Sequence, residues 1–525
     1  MKRSVRIVAL VAVVAGALAA VGPAAAGTYV LLYKQEATPA DVGVRVAMAG
    51  GTLVARYDAI GVAIAESDSS TFTQAVGNDA RLAAVAASTA IARLNPLDAR
   101  LAEAPPGDLP NAPATPDSLA SLQWDMRQIH AFEAHEITGG SPAVVVGDID
   151  TGLDKDHPDL VQNIDFARSV SCETGAPNTD PAAWDDHNGH GTHTAGTIAA
   201  ADNGFGITGV APNVKVAGIK SSNDDGYFFA HMVVCSFMWA GSQHLDVTNN
   251  SYFMDPYLYN CRSSAEQRVL WQAAKRAVSY AQRQGVTVVA SAGNQADDLA
   301  HPTIDVISPD YPPGSEEERE ITNACVVVPV ELPGVVAVSA VGNTVQVDGD
   351  DDATDYLKSY YSSFGVGVVD VTAPGGDFYY GRGTDGGPFG LVLSTWPAEI
   401  GGSRRVFEGA AVYRYLQGTS MASPHAAGVA ALIVSRFGDG STPQNGTLRP
   451  GQVIAILQGT ADAQPCPTEL PLSGAPGSAL EGVPYAEITR PDGSLQECQG
   501  GAGSNSWYGS GQVNALRAVT HDMGN

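Results

Sequence analysis

Residues 143–152 read AVVVGDIDTG, an apolar run that ends in an acidic residue and a turn signal. The continuous apolar run predicts a strand that is buried on both faces of a sheet. Later runs of the same kind, separated by stretches with helical periodicity, occur at residues 214–219, 286–290 and 334–341. Strand and helix alternating in this way predict an α/β fold with a mostly parallel sheet and helices on both faces.

Four segments with polar residues stand at the ends of these predicted strands and helices. They are residues 146–152 (VGDIDTG), 188–193 (NGHGTH), 290–294 (ASAGN) and 418–425 (GTSMASPH). In parallel sheets ligands bind at the carboxyl ends of the strands, so we expect the four segments to lie close together. Taken singly, each polar residue also fits a cap or a turn, but the four together favour a functional site.

The four segments supply the groups that acyl transfer requires. A serine such as Ser420 is a weak nucleophile until a base removes its proton. A neutral histidine such as His190 can do so when a carboxylate, here Asp150, holds its other ring nitrogen. The amide of Asn294 and the N–H groups at the start of the Ser420 helix can stabilise a developing oxyanion. The segments therefore predict nucleophilic catalysis.

The motifs D-T-G, H-G-T-H-x-A-G-T, A-G-N and G-T-S-M-A-S-P-H closely resemble those of the subtilisin-like serine proteases, or subtilases, and the resemblance covers most of the chain. It implies a subtilisin-like three-layer α/β fold. It also implies that Asp150 is the orienting acid, His190 the general base and Ser420 the nucleophile. Asn294 is then the oxyanion donor, the substrates are proteins or peptides, and catalysis needs no cofactor.

The chain before these motifs divides into three parts. Residues 1–26 combine basic residues, an apolar run and an A-x-A site, which predicts a secretory signal peptide; the alternative, a membrane anchor, needs a longer run. Residues 27–100 predict a small α+β unit and residues 101–120 a Pro-rich linker. The resemblance implies that 27–100 is an inhibitor I9-like propeptide, which inhibits the enzyme until autocatalytic cleavage in the linker. Residues 121–525 are then the catalytic domain.

The substrate-binding segment departs from the family pattern. Residues 246–256 (DVTNNSYFMDP) stand where the family has a serine, a small residue and paired glycines. By the resemblance, the first specificity pocket is lined by Ser251, Tyr252, Phe253, Ser291 and Gly293. Gly226 and Tyr227 resemble a strand that pairs with the substrate backbone, a mode that recognises any extended peptide. Acidic residues near the cleft, Asp185 and Asp186, would favour basic substrate positions; the alternative is that both are solvated.

A further resemblance concerns a structural calcium ion. Asp159 and Asn203 match the side-chain ligands of the family's site, and the carbonyls of Ala201, Phe205 and Ile207 would complete it. Carboxylate, amide and carbonyl oxygens are the ligands that calcium prefers. The alternative is a hydrogen-bonded loop without a metal ion.

Composition limits the partners and the compartment. With 29 Lys and Arg against 56 Asp and Glu, the 525-residue chain has a net charge of −27. This charge disfavours nucleic acids and anionic membranes, because both are polyanionic. Six cysteines in an exported protein predict disulfides, although six allow fifteen connectivities. Pairing neighbours in sequence, and then the remaining two, predicts Cys235–Cys261, Cys466–Cys498 and Cys172–Cys325.

The leading interpretation is a secreted, extracellular serine endopeptidase that removes its own propeptide. We expect a monomer with no nucleic-acid partner and, after signal cleavage, no membrane partner. A second hypothesis is a dedicated maturation protease for one exported substrate, which the unusual segment 246–256 keeps open. A third is an inactive binding module with the subtilase fold, which the presence of all three triad residues disfavours.

Overall fold

A computed structural model describes residues 27–88, 117–346, 355–381, 390–438, 448–470, 474, 480–501 and 503–522. The predicted signal peptide at 1–26 lies outside the described residues, as does most of the predicted linker at 101–120.

The four strands predicted from apolar runs are observed at Val145–Asp150, Lys215–Lys220, Thr287–Ser291 and Val335–Val345. The helices in the described part of the chain are α1 Val42–Met48, α2 Phe72–Gly77, α3 Trp124–Gln128, α4 Ala131–His135, α5 His190–Ala199, α6 Ala230–Ser242, α7 Ala265–Arg283, α8 Thr419–Phe437, α9 Pro450–Gly459 and α10 Ala515–Thr520. None of these described helices has both the length and the hydropathy that a membrane span requires.

The strands in the same residues are β1 Gly27–Tyr33, β2 Thr52–Tyr57, β3 Val62–Ser67, β4 Leu82–Ala87, β5 Val145–Asp150, β6 Val170–Ser171, β7 Lys215–Lys220, β8 Val247–Asn250, β9 Tyr259–Cys261, β10 Thr287–Ser291, β11 Ile304–Asp305, β12 Arg319–Glu320, β13 Cys325–Val327, β14 Val335–Val345, β15 Tyr356–Lys358, β16 Val371–Pro374, β17 Val392–Trp396, β18 Arg405–Glu408, β19 Ala411–Leu416, β20 Gly500–Gly501 and β21 Ser504–Asn505.

The central sheet has the strand order β6-β7-β5-β8-β10-β14-β15, with β16 also paired to β14. Its ladders are parallel except for β14–β15. The predicted mostly parallel sheet is therefore confirmed. Strand β5 lies between β7 and β8, and all six of its residues are buried. This position explains the continuous apolar run, because a strand with neighbours on both sides and helices on both faces meets no water.

Helices cover both faces of this sheet, which gives the expected three layers. Val145 and Ile149 of β5 share one core with α6 and α7, whereas Val146 shares the opposite core with α5 and α8. Helix α8 is buried on every side over most of its length. Small residues permit this close packing: a Cβ atom on Gly428 would come within 2.6 Å of the Val210 side chain.

Residues 27–88 form a separate α+β unit with its own core. Its four strands make an antiparallel sheet in the order β2-β3-β1-β4, and α1 and α2 cover one face of it. The other face packs against α6 and α7 through residues such as Val30 and Ile64. Arg276 of α7 donates from Nη1 to the backbone oxygens of Tyr33 and Ile60, both at 2.9 Å. The predicted α+β character is thus observed, docked on a helical layer of the larger domain.

The disulfides correct two of the three predicted pairs. Cys466–Cys498 is confirmed. The pairs Cys235–Cys261 and Cys172–Cys325 are wrong, and the observed bridges are Cys172–Cys235 and Cys261–Cys325. Strands β9 and β13 pair antiparallel with Cys261 directly opposite Cys325, while Cys172 and Cys235 meet in the core beneath α6. Closeness in sequence did not predict these disulfide partners, because strand pairing and packing in the core bring together cysteines that are far apart in the chain.

Candidate active site

The fold brings the four predicted polar segments to one cleft of about 310 Å³. Asp150 ends β5, His190 is the first residue of α5, and Ser420 is the second residue of α8. Asn294 follows β10 in the loop after Ser291. The cleft is lined by His190, Asn294 and Ser420, among others, and Asp150 lies fully buried behind the histidine.

The histidine and the aspartate form a close polar pair. Nδ1 of His190 lies 2.7 Å from Oδ1 of Asp150, which also accepts a 2.8 Å hydrogen bond from the backbone N–H of Thr151. Burial lowers the pKa of His190, but the charge and the hydrogen bond of Asp150 outweigh it, so the pKa lies above its ordinary value. A carboxylate at Nδ1 fixes the tautomer that leaves Nε2 free to act as a base.

A second carboxylate, Asp186, holds the start of helix α5. It is buried, and it accepts hydrogen bonds of 2.9 Å from the N–H groups of Gly189 and Thr192 and from the hydroxyl of Thr151. Acidic groups satisfy and stabilise the free N–H groups at a helix N-terminus. The prediction that Asp186 is either a substrate contact or solvated is therefore wrong: it positions the helix of the candidate base.

Asp185 does not line the described cleft either. Its carboxylate pairs with Nζ of Lys155 at 2.6 Å. The proposed contact of Asp185 with basic substrate residues is not supported, because the lysine of the same chain already neutralises it.

Ser420 is held beside the substrate-binding segment by reciprocal hydrogen bonds. Its hydroxyl donates to the backbone oxygen of Ser251 at 3.2 Å, and the hydroxyl of Ser251 donates to the backbone oxygen of Ser420 at 3.0 Å. The hydroxyl proton of Ser420 thus points to a carbonyl in this state. It must turn toward the imidazole before a base can remove it.

Asn294 is oriented for donation into the cleft. Its Oδ1 accepts hydrogen bonds from both the backbone N–H and the hydroxyl of Thr419, each at 2.9 Å. The carbonyl end of the amide is thus fixed, while the residue is exposed at the cleft. Gly293 precedes it with a φ of 107°, a left-handed conformation that favours glycine. The N–H of Ser420 lies in the first turn of α8, where N–H groups have no partner within the helix.

The predicted specificity residues lie around this cleft. Its lining includes Ser251, Tyr252, Phe253, Ser291, Gly293, Gly226 and Tyr227. One detail differs from the prediction: residues 225–227 form no strand. The N–H of Gly226 donates to the backbone oxygen of Asn223 at 3.0 Å, and the N–H of Tyr227 donates to the side-chain Oδ1 of the same Asn223 at 3.0 Å. A side chain that folds back on its own backbone produces this turn and uses N–H groups that a substrate strand would need.

Sequence reasoning missed Asp148, a carboxyl group beneath the candidate triad. It lies two residues before Asp150 on β5, and the strand period of two is the signal that places both on one face. Its oxygens accept hydrogen bonds from Thr194 Oγ1 of α5 at 2.7 Å and from Asn249 Nδ2 at 2.9 Å, and Asn249 Oδ1 accepts one from Ser423 of α8 at 2.6 Å. Burial, reinforced by the charge of Asp150, raises the pKa of Asp148 well above its ordinary value. The network joins the elements that carry the acid, the base and the nucleophile.

The residues of the predicted calcium site do come together, but they do not fit the ion. Oδ2 of Asp159 accepts hydrogen bonds from the N–H of Ile207 at 2.9 Å and the hydroxyl of Tyr413 at 3.1 Å, and Oδ1 accepts one from Asn203 Nδ2 at 3.3 Å. Ile207 thus presents its N–H to the carboxyl group. Burial raises the pKa of Asp159 to about 7.

The rest of this loop is also closed by hydrogen bonds. Oδ1 of Asp117 accepts from the N–H groups of Asn203, Gly204 and Phe205 at 3.1, 2.6 and 3.1 Å. Among the described residues, no group of three or more His, Cys, Asp or Glu side chains has the arrangement of a metal site. Calcium needs six to eight oxygen ligands, and these carboxylates already bind hydrogen-bond donors. These hydrogen bonds match the alternative, a metal-free loop, while calcium binding itself stays a prediction.

Removal of calcium is therefore expected to leave the stability of the chain unchanged. The Tm of the Ser420→Ala variant is compared in EDTA and in EDTA saturated with calcium. An ion bound at 100 times its Kd would stabilise the fold by about 2.7 kcal/mol. A fall in Tm of several degrees in free EDTA would contradict the metal-free loop.

Known proteins are similar to this chain in sequence and in fold. A model of the subtilase family matches residues 141–511. Subtilisin DY of Bacillus licheniformis is 33% identical over 318 residues, which cover 61% of this chain and 83% of that protein. Fervidolysin of Fervidobacterium pennivorans is 28% identical over 354 residues, 66% of this chain and 41% of its own length. The match thus spans less than half of fervidolysin.

Solved structures share the architecture. The epidermin leader peptide processing serine protease of Staphylococcus aureus aligns with a TM-score of 0.63 at 19% identity, over 94% of this chain and 98% of that one. A structure described as a lanthipeptide protease aligns with a TM-score of 0.50 at 25% identity, over 76% and 94% of the two chains. At 19% identity the first likeness shows the fold alone.

Proposed function

Because this chain belongs to the subtilase family, we propose that it is a serine endopeptidase that hydrolyses peptide bonds through an acyl-enzyme on Ser420. One observation carries the proposal: the pair of His190 and Asp150, joined at 2.7 Å, reaches the same cleft as Ser420 and Asn294. A nucleophile, a base held by a carboxylate and an oriented amide donor are the parts that acyl transfer requires.

The geometry supports the following sequence of steps. Nε2 of His190 takes the proton of Ser420, and Oγ attacks the substrate carbonyl carbon. The amide of Asn294 and the N–H of Ser420 stabilise the oxyanion, while buried Asp150 stabilises the imidazolium. The imidazolium then protonates the leaving amine, and a water molecule, activated in the same way, hydrolyses the ester. Every proton that leaves a nucleophile thus returns through His190.

The unit at residues 27–88 is proposed to be the propeptide. Its contacts with the larger domain include a 2.6 Å hydrogen bond from the Tyr57 hydroxyl to the backbone oxygen of Gly175. At the C-terminal end of this unit, Ser88 Oγ lies 2.8 Å from Nδ1 of His231, the second residue of α6. Tyr227 and Phe228, just before that helix, line the cleft. Ser88 therefore contacts the first turn of the helix that follows two cleft-lining residues, which supports the assignment of this unit as the propeptide.

Export to an extracellular, oxidising compartment is part of the proposal. Its support is the predicted signal peptide at 1–26 together with three disulfides, which persist where thiols are oxidised. We further propose that the enzyme acts as a monomer.

A dedicated maturation protease is the second candidate. The cleft is walled by aromatic residues, including Tyr252 and Phe253, where the family pattern has small ones. The similarity to a lanthipeptide protease at 25% identity also supports this candidate. Profiling the cleavage sites in a peptide library separates the two candidates, since a dedicated enzyme cleaves few sequences.

Labelling with a fluorophosphonate probe tests the catalytic assignment. We expect one label per chain in the wild type and in the surface control Ser242→Ala, and none in Ser420→Ala. Purified Ser420→Ala should also keep residues 27–88 attached, as measured by mass. Labelling of Ser420→Ala would contradict the nucleophile, and loss of its N-terminal unit in pure form would contradict self-cleavage.

A further inference from the structure

The floor of the cleft contains two carboxyl groups that the proposed mechanism does not use. Asp255 and Asp310 both line the cleft and are hydrogen-bonded to each other. Asp255 is only 4% exposed, and its Oδ2 also accepts from the N–H of Phe228. Oδ1 of Asp310 is buried and has no hydrogen-bond partner among the described residues. A buried acceptor without a donor is costly, so this pair lacks a partner.

The protein itself supplies no cation to this pair. The residues that line the described cleft include no lysine or arginine. The charged groups that act on Asp310 from nearby, Asp305 and Glu316, are acidic, and a further carboxylate, Asp225, is exposed at the cleft rim. Arg319 is engaged elsewhere, with Asp305. The floor is therefore a buried negative site within a cleft that binds substrate.

The walls above this floor are aromatic. The rings of Phe228 and Tyr252 stack with centroids 4.3 Å apart, and the ring of Tyr227 packs edge-on against Tyr311 at 5.0 Å. Aromatic faces attract cations and also cover the apolar stem of long basic side chains. A carboxylate floor between aromatic walls is thus matched to a side chain that is apolar along its length and cationic at its end.

We propose that the cleft selects substrates with a lysine or arginine side chain, whose cationic group binds Asp255 and Asp310. The inference rests on the proposed endopeptidase activity and names its substrate class. A hydrogen bond between two carboxyl groups requires one proton, so the pair carries a single negative charge when the other carboxyl group is ionised, and one cation neutralises that charge. An aromatic or aliphatic side chain would instead leave the negative charge of the pair without a counter-charge.

A positional peptide library tests the preference on the mature wild-type enzyme. We expect Lys or Arg at one position near the cleaved bond to raise kcat/KM by about 10- to 100-fold over Met or Gln, the scale of a hydrogen bond to a charged group. Asp310→Asn should reduce the Lys and Arg peptides to the rate of the Met peptide. Asp185→Asn, a carboxylate outside the cleft, should keep the preference. Benzamidine should inhibit the wild type, and neutral benzamide should not.

The outcomes separate this inference from the proposed function. Wild-type enzyme that is labelled at Ser420 but prefers Phe, Leu or no residue at every position, and that ignores benzamidine, would overturn the inference alone. An unchanged Lys or Arg preference in folded Asp310→Asn would overturn it as well. Absence of both labelling and peptide cleavage would overturn the proposed function and the inference together.

Discussion

Replacing His190 by alanine is expected to lower kcat for peptide hydrolysis by about 10⁵- to 10⁶-fold, the scale on which triads of this kind lose activity. Without the imidazole, the partner of the Ser420 hydroxyl among the described residues is the carbonyl of Ser251, at 3.2 Å, and a backbone carbonyl is too weak a base to remove the proton. Because base and nucleophile act in one step, the double variant His190→Ala/Ser420→Ala should lose no more than either single variant.

The measurement is steady-state hydrolysis of a chromogenic peptide with active-site titration of the enzyme. His187→Ala is the matched control, since His187 lies three residues earlier, is exposed and, within the described part of the chain, pairs with the exposed carboxylate of Asp224 at 3.2 Å. That control should retain wild-type activity. A His190→Ala enzyme within tenfold of wild type, or additive losses in the double variant, would contradict the assignment.

Replacing Asp150 by asparagine is expected to lower kcat by about 10⁴-fold at neutral pH. The amide keeps the shape of the side chain but loses the charge that stabilises the imidazolium, and its NH₂ group opposes the tautomer with hydrogen on Nδ1. Asp150 is fully buried and lies 2.7 Å from that nitrogen, so water does not replace its charge. The control is Asp156→Asn, which changes an exposed carboxylate on the following loop and should leave kcat unchanged.

The pH profile gives this second prediction a distinct signature. In the wild type, the charge of Asp150 outweighs burial and holds the pKa of His190 above its ordinary value. Activity requires neutral His190, so it should appear only as the pH rises through that raised pKa. In Asp150→Asn the pKa falls, and the acid limb of kcat/KM should move to lower pH. An acid limb that stays in place would show that Asp150 does not face the base in solution.

The local pattern of the chain was sufficient for the sheet and for the candidate triad. Local patterns indicate these strand ends and helix starts. The apolar run of β5 ends in an acid, glycines flank His190 at the start of α5, and a helix follows Ser420. Parallel strands bring such ends to one edge, so convergence followed from the fold class. Asp148 was accessible by the same logic, because a strand places every second residue on one face.

The hydrogen-bond partners of individual side chains could not be predicted from that local pattern. Asp186 looked like a surface acid near the cleft, yet it is buried and caps α5. The loop around Asp159 contains the residue types of a calcium site. The hydroxyl of Tyr413 and the N–H of Ile207, however, donate hydrogen bonds to the carboxyl group of Asp159. Spacing identifies which groups are present, whereas the direction in which a carbonyl or an N–H points depends on the packed backbone.

By itself, then, the sequence determined an α/β domain with a serine, a histidine, an aspartate and an asparagine at strand and helix ends, because these depend on local order and periodicity. Tertiary structure alone decided that Cys172 pairs with Cys235, that the loop of Asp159 holds hydrogen-bond donors, and that Asp255 meets Asp310 beneath the cleft. These contacts join segments far apart in the chain, and their geometry is set by how the layers pack rather than by the spacing of residues.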